Sequence, residues 1–173
     1  MKIPEFKIRT DLALEEREGL KEAAEEVSGV SFKKWEGKRS AAQITEVKVL
    51  NEHGAKALGK PMGSYLTLEA DKLLMPDEDF HSEVSDELAL LLKGLLKQKT
   101  GKNILVAGLG NQSVTPDSLG PRTVSNLCVS AEGLKAIAPG VMAQTGMETA
   151  RILLGIIKEV QPDLVIAIDA LAG

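Results

Sequence analysis

The sequence predicts an α/β fold in which a mostly parallel central sheet carries helices on both faces. Strand-like and helical segments alternate through the second half of the chain, and the strand-like segments are unbroken aliphatic runs. Such runs are typical of parallel strands, because crossover helices bury both faces of the sheet. With 173 residues, the chain is long enough to bury one core.

The first half of the chain is less regular. Residues 1–11 have no clear period and predict a loosely attached extension, whereas residues 15–27 are charged and helix-prone. Residues 28–40 predict a polar connection interrupted by glycine. Residues 42–50 and 64–70 predict two strands joined by a short helical turn or loop.

A change of period marks the second half. Within residues 79–98, apolar side chains recur at helical spacing and predict one apolar face, formed by Phe80, Val84, Leu88, Leu91, Leu92 and Leu95. The following segments predict, in order, a strand (103–107), a helix (116–128), a strand (136–139), a helix (146–160) and a strand (164–168). Because the chain stops shortly after this last buried strand, we expect a longer protein from which the C-terminal part is missing.

Composition excludes several classes of function. The net charge is −4 without a basic stripe and aromatic residues make up 3 %, so direct nucleic-acid binding is not expected. The chain has neither a signal sequence at its start nor an apolar run long enough to span a bilayer. The lone Cys128, which we expect in the core, suits a reducing compartment. We therefore expect a cytoplasmic protein with no membrane partner.

A glycine-rich loop, GLGNQSVTPDSLGP, follows the strand at 103–107 and raises the question of nucleotide binding. The dinucleotide motif requires a third glycine, where this chain has Ser113, and a P-loop requires a lysine that is absent. A nucleotide-binding module is therefore the weaker interpretation of this loop.

Two aspartates favour catalysis instead. Asp117 lies in the loop after one predicted parallel strand and Asp169 ends another, and open α/β sheets carry functional groups at the carboxyl ends of their strands. A helix start favours ionised Asp117, while desolvation at the end of an aliphatic strand favours protonated Asp169. The hypothesis is that one carboxyl group acts as base and the other as acid to activate water. The alternatives are that Asp117 is a helix cap and Asp169 a buried structural acid.

The remaining candidates carry less weight. Gly140 and Gly146 bracket a loop at the same sheet edge and let backbone approach a substrate. Glu148 has capping-box spacing from Thr145, which favours a structural role. The two histidines, His53 and His81, lie in polar segments without metal-binding spacing, so we expect no metal and no cofactor.

Three long motifs make the sequence resemble the germination protease family of spore-forming bacteria. They are GLGNQSVTPDSLGP, APGVMAQTGMET (138–149) and PDLVIAIDALA (162–172), and the start IRTDLALE (8–15) is also similar to that family. The resemblance implies an α/β sandwich related to hydrogenase-maturation proteases, in which Gly108, Gly110 and Asn111 support the loop that carries the acid. It also implies an atypical aspartic endopeptidase whose two essential aspartates match Asp117 and Asp169.

The resemblance further implies a biological setting. Members of the family degrade small acid-soluble spore proteins during germination, are made as zymogens in the forming spore, and behave as tetramers. Their substrates are cut after an acidic residue, and Asp11 followed by Leu12 fits that pattern. We therefore expect self-cleavage between Asp11 and Leu12, with residues 1–11 as propeptide and residues 12–173 as a single peptidase domain. The alternatives are that Thr10 or Asp11 caps a helix, and that the acids bind a metal as in a metal-assisted maturation peptidase.

Overall fold

The computed structural model describes residues 28–96, 103–129 and 133–171. These residues form two compact units, one within residues 28–96 and the other within residues 103–171. Both units lie inside residues 12–173, whose assignment to a single domain stays a prediction. The predicted helix at 15–27 and the expected cleavage site at Asp11 and Leu12 lie outside the described residues.

The first unit contains an antiparallel sheet of three strands in the order β1–β2–β3. The strands are β1 (Val30–Glu36), β2 (Gln43–Val49) and β3 (Gly63–Glu69). β2 is the central strand, and its Ile44, Val47 and Val49 are buried. This sheet confirms the two strands predicted at 42–50 and 64–70.

The prediction of a connection at residues 28–40 is wrong, because β1 lies there. The segment VSFKKWE places two lysines side by side and therefore lacks the strict alternation that identifies a half-buried strand. Its strand conformation comes from pairing along its whole length with β2, from Val30 opposite Val49 to Glu36 opposite Gln43.

Helices complete the first unit. The short α1 (Glu52–Leu58) lies between β2 and β3, and α2 (Glu78–Leu96) confirms the helix predicted at 79–98. The predicted apolar face of α2 is not packed as expected, since Leu88, Leu92 and Leu95 are exposed and Val84 is buried. Helical spacing determines which side chains share a face, but it does not determine what covers that face.

The second unit contains a parallel sheet of three strands in the order β5–β4–β6. The strands are β4 (Ile104–Gly108), β5 (Leu134–Ile137) and β6 (Leu164–Ile168). β4 pairs with both neighbours, from Ile104 opposite Leu134 on one side and opposite Leu164 on the other. Leu105, Val106 and Ala107 in this central strand are almost completely buried. The predicted α/β class and its parallel sheet are thus confirmed.

Three helices connect these strands: α3 (Leu119–Ser125), α4 (Met142–Thr145) and α5 (Thr149–Val160). The connection from β4 to β5 runs in one direction along the sheet, and the connection from β5 to β6 runs back across β4. Because such crossovers are almost always right-handed, these connections lie on opposite faces of the sheet.

The helix boundaries differ from the sequence-based expectation in two places. The helix expected at 116–128 is a 3₁₀ turn (Thr115–Asp117) followed by α3, which ends at Ser125. Cys128 therefore lies beyond the helix and is exposed, so its predicted place in the core is wrong. The helix expected at 146–160 begins at Thr149, where Glu148 is the N-terminal flanking residue without a side-chain cap bond.

Candidate functional site

The loops that leave β4, β5 and β6 meet at the carboxyl edge of the parallel sheet. In a parallel sheet all strands point the same way, so the residues that follow them lie along one edge. The backbone hydrogen bond from Leu109 N–H to Ile168 C=O, 2.8 Å, continues the pairing of β4 with β6 up to this edge. Asp117 follows β4 and Asp169 follows β6, so these two aspartates lie on loops of neighbouring strands.

Asp117 is held by the loop in which it lies. Its Oδ2 accepts a hydrogen bond of 2.7 Å from the Asn111 backbone N–H, which also contacts the Asp117 carbonyl oxygen at 3.0 Å. The N-terminal flanking residue of α3 is Ser118, and no side chain caps that helix. The interpretation of Asp117 as a helix cap is therefore wrong. Asp117 instead closes the loop on itself across six residues.

Close backbone packing requires glycine at two positions of the first motif. A Cβ added to Gly110, whose φ is 110°, would lie 2.1 Å from the Asp117 carbonyl oxygen. A Cβ on Gly108 would lie 2.2 Å from the Gly120 carbonyl oxygen. The loop therefore returns tightly onto the end of β4, and this return holds Asp117 over the sheet edge.

A third glycine, Gly120, brings α3 onto the ends of both strands. A Cβ at this position would lie 2.4 Å from the Leu109 carbonyl oxygen and 2.5 Å from the Ile168 carbonyl oxygen. Gly120 is one helical turn beyond Asp117, and Ile168 directly precedes Asp169. The packing of Gly120 thus determines how far the Asp117 loop stands from the end of β6.

Asp169 is exposed, and its Oδ1 accepts a hydrogen bond of 2.9 Å from the Ala170 N–H. The expected burial of this carboxyl group is wrong, because alternate residues of β6 are exposed and Asp169 extends beyond the last strand residue. No hydrogen bond joins the carboxyl groups of Asp117 and Asp169, both of which the structure describes.

The loop after β5 contains Gly140 and Gly146, the two glycines that the sequence also predicts at this edge. Gly140 has a φ of 76°, and its carbonyl oxygen accepts a hydrogen bond of 3.1 Å from the Thr149 hydroxyl. Gly146 ends α4 in the left-handed conformation, with φ at 69° and no atom within 4 Å of an added Cβ. Gly140 is therefore held by the contact with Thr149. Gly146 instead provides the left-handed backbone conformation at the end of α4.

A side-chain hydrogen bond connects this loop to the loop of Asp117. The Gln144 Nε2 donates to the Asn111 Oδ1 at 2.9 Å. Gln144 and Gly120 are not among the residues predicted from the sequence, because neither residue type is diagnostic by itself. Their positions inside the long motifs APGVMAQTGMET and GLGNQSVTPDSLGP were the available signal.

The other candidates lie away from this edge or have structural partners. His53 and His81 belong to the first unit, where their rings bond to the carbonyl oxygens of Ser28 and Leu73. Glu148 forms an exposed ion pair of 3.1 Å with Arg151 instead of the expected capping box. Within residues 28–96, 103–129 and 133–171, no three acidic, histidine or cysteine side chains are grouped to hold a metal ion. No described helix is long and apolar enough to cross a membrane.

Chemically, the edge offers two carboxyl groups, on the loops that follow β4 and β6, without a direct hydrogen bond between them. One carboxylate can remove a proton from water, and a second carboxyl group can supply a proton to a leaving nitrogen. Hydrolysis of an amide requires both transfers. Acid–base hydrolysis therefore requires the two residue types that lie at this edge.

Similarity to known proteins extends over almost the whole chain. Residues 8–173 match the model of the family described as germination protease. The chain is 48 % identical to the germination protease of Caldanaerobacter subterraneus subsp. tengcongensis, covering 96 % of this chain and 54 % of that protein. Identity is 39 % to the protein of the same name from Clostridium perfringens and 38 % to that from Clostridium tetani, with 97 % and 96 % of this chain covered. The chain spans about half the length of these curated relatives, 56 % and 55 % for the last two.

Proposed function

The chain belongs to the germination protease family, and from this premise we propose that it is part of an endopeptidase that uses Asp117 and Asp169 to activate water. We further propose that the whole enzyme initiates the degradation of small acid-soluble spore proteins during germination. The observation that supports this proposal best is the position of the two aspartates at the carboxyl ends of β4 and β6, strands that are direct neighbours.

In the proposed mechanism, water attacks the carbonyl carbon of the scissile peptide bond. One aspartate carboxylate takes a proton from that water while the oxygen forms the new bond to carbon. The second aspartate, in its protonated form, gives a proton to the nitrogen as the carbon–nitrogen bond breaks. The products are a carboxylic acid and an amine. Asp117 is the better candidate for the base, since its Oδ2 already accepts the Asn111 N–H.

The proposal extends to activation and assembly. The enzyme is made as a zymogen, and it removes residues 1–11 by cutting its own chain between Asp11 and Leu12. The active form is a homotetramer in the cytoplasm of the forespore and spore core. The acidic residue before the cut and the aliphatic residue after it support this self-processing step.

The test compares Asp117→Asn and Asp169→Asn in the full-length protein. Each variant is expected to bind a small acid-soluble spore protein, to leave it intact, and to retain Met1 as its first residue. Asp163→Asn is the matched control, because Asp163 lies at the opposite end of β6, where its Oδ2 accepts the Asn103 N–H at 3.0 Å. The measurements are cleavage of the substrate by mass spectrometry and the N-terminal sequence of the purified chain.

Full activity in either of the two site variants would refute the aspartate pair. If activity disappears with a chelator and returns with a divalent cation, the metal-assisted mechanism holds instead. A first residue other than Leu12 in the processed parent protein would refute the proposed cleavage site.

A further inference from the structure

We propose that Gln144 is a positioning residue that fixes Asp117 through Asn111. The proposal rests on the catalytic role proposed for Asp117. It assigns a function to a side chain that touches neither aspartate and that lies on a different loop of the sheet edge.

The connection consists of hydrogen bonds through Asn111. Its backbone N–H donates to the Asp117 Oδ2 at 2.7 Å. Its side-chain Oδ1 accepts from the Ser113 N–H at 3.0 Å and from the Gln144 Nε2 at 2.9 Å. Gln144 holds the side-chain end of Asn111, and the backbone N–H of the same residue holds the Asp117 carboxylate. Any shift of Asn111 therefore moves the donor to Asp117.

Backbone donors determine the orientation of both amide side chains. The Ser113 N–H can only donate, so the Asn111 atom facing it must be oxygen. The Val141 N–H, 3.4 Å from the Gln144 Oε1, requires oxygen at that end of Gln144 as well. The Gln144 NH₂ group must then face the Asn111 oxygen. The pairing is therefore directional and requires a donor at the end of residue 144.

Gln144 also joins two loops that different strands support. Asn111 lies on the loop after β4, while Gln144 lies in α4 after β5. A Cβ at Gly140 would approach the Gln144 Oε1 to 3.1 Å, so the side chain lies close along the backbone of its own loop. Gln144 is exposed and Asn111 is half-buried, so this bond contributes little to global stability. Its main effect is to set the position of the Asp117 loop.

The test replaces Gln144 with glutamate in the full-length protein. Gln144→Glu keeps the length of the side chain and the acceptor for the Val141 N–H, but at neutral pH it sets a carboxylate oxygen against the Asn111 Oδ1. We expect kcat to fall about tenfold at pH 7 with KM unchanged. A tenfold fall in rate corresponds to the loss of about one hydrogen bond. Protonation of the new carboxyl group restores a donor. The ratio of variant to parent kcat should therefore rise as the pH falls toward about 4.3, the ordinary pKa of glutamate.

Gln112→Glu is the matched control. It makes the same change of charge on the Asp117 loop, and the Gln112 side chain makes no hydrogen bond to the described residues. The charged groups on the surrounding loops, namely Asp117, Asp169 and the Glu148–Arg151 pair, are the same in both variants. We expect the ratio of Gln112→Glu to parent kcat to stay near one and independent of pH.

Parent-like kcat in Gln144→Glu at pH 7, or a loss that does not recover at low pH, would overturn the inference. A pH-dependent recovery of the same size in Gln112→Glu would also overturn it, because charge alone would then explain the effect. These outcomes are distinguishable from failure of the proposed function. If the proposed function is wrong, Asp117→Asn remains active, whatever the activity of Gln144→Glu. Urea unfolding of Gln144→Glu is expected to match that of the parent.

Discussion

Replacing Gly120 with alanine is expected to separate α3 from the carboxyl edge of the parallel sheet. The added Cβ would lie 2.4 Å from the Leu109 carbonyl oxygen and 2.5 Å from both the Leu109 nitrogen and the Ile168 carbonyl oxygen. Ordinary contact begins at 3.4 Å, so the helix has to move by about 1 Å. All three obstructing atoms belong to backbone, which cannot turn aside as a flexible side chain would.

The size of the effect follows from two opposing contributions. Alanine is favoured over glycine within a helix by about 1 kcal/mol, whereas forcing a methyl group into packed structure costs about 1–3 kcal/mol and more where backbone must shift. We expect the overlap to dominate and the free energy of unfolding to fall by about 2 kcal/mol. A displacement of about 1 Å in the loop of Asp117 is expected to lower kcat about 100-fold.

Urea unfolding of this chain and peptidase assays of the full-length protein measure these two effects. Gly155→Ala is the matched control, because Gly155 lies within α5 and an added Cβ meets no atom within 4 Å. That variant is expected to be more stable than the parent by up to about 1 kcal/mol, with unchanged kcat. If Gly120→Ala unfolds at the same urea concentration as Gly155→Ala, the packing argument for the sheet edge is refuted.

Two further predictions concern the first unit and are checked by urea unfolding. Glu87 is 3 % exposed and accepts the Arg39 N–H at 2.8 Å, so Glu87→Ala should lower the free energy of unfolding by about 1–3 kcal/mol. Glu87→Gln keeps an acceptor and should cost clearly less, and an equal loss in both variants would contradict the role of this bond. The Asn51 Oδ1 caps α1 by accepting the Gly54 N–H at 2.9 Å, so Asn51→Ala should cost about 1 kcal/mol and Asn51→Asp almost nothing. An unaffected Asn51→Ala would show that this cap contributes no stability.

The fold of the second unit was largely predictable from the sequence, because its local hydrophobic patterns are strong and agree with one another. The run from Ile104 to Gly108 is aliphatic and becomes the buried central strand β4, and the apolar run at Leu164–Ile168 becomes β6. The fold of the first unit was less predictable from the sequence. β1 carries a weak local pattern and forms by pairing with β2, a contact whose partner the local sequence does not reveal.

The candidate site divides in the same way. The positions of Asp117 and Asp169 after two aliphatic strands were predictable, since chain order and the geometry of parallel sheets place such residues at one edge. The exposure of Asp169 was not predictable, because it depends on what covers β6. The exposure of Cys128 depends on where α3 ends, and sequence patterns give helix ends poorly.

The sequence by itself determined the α/β class, the positions of Asp117 and Asp169 after aliphatic strands, and the glycines of the loops at that edge. These features follow from residue type and local period. Tertiary structure alone decided that the Asn111 N–H holds Asp117, that Gln144 reaches Asn111 across two loops, and that Gly120 packs against Leu109 and Ile168. These contacts join residues from separate strands, and the neighbours of a side chain across a sheet exist only once the strands have paired.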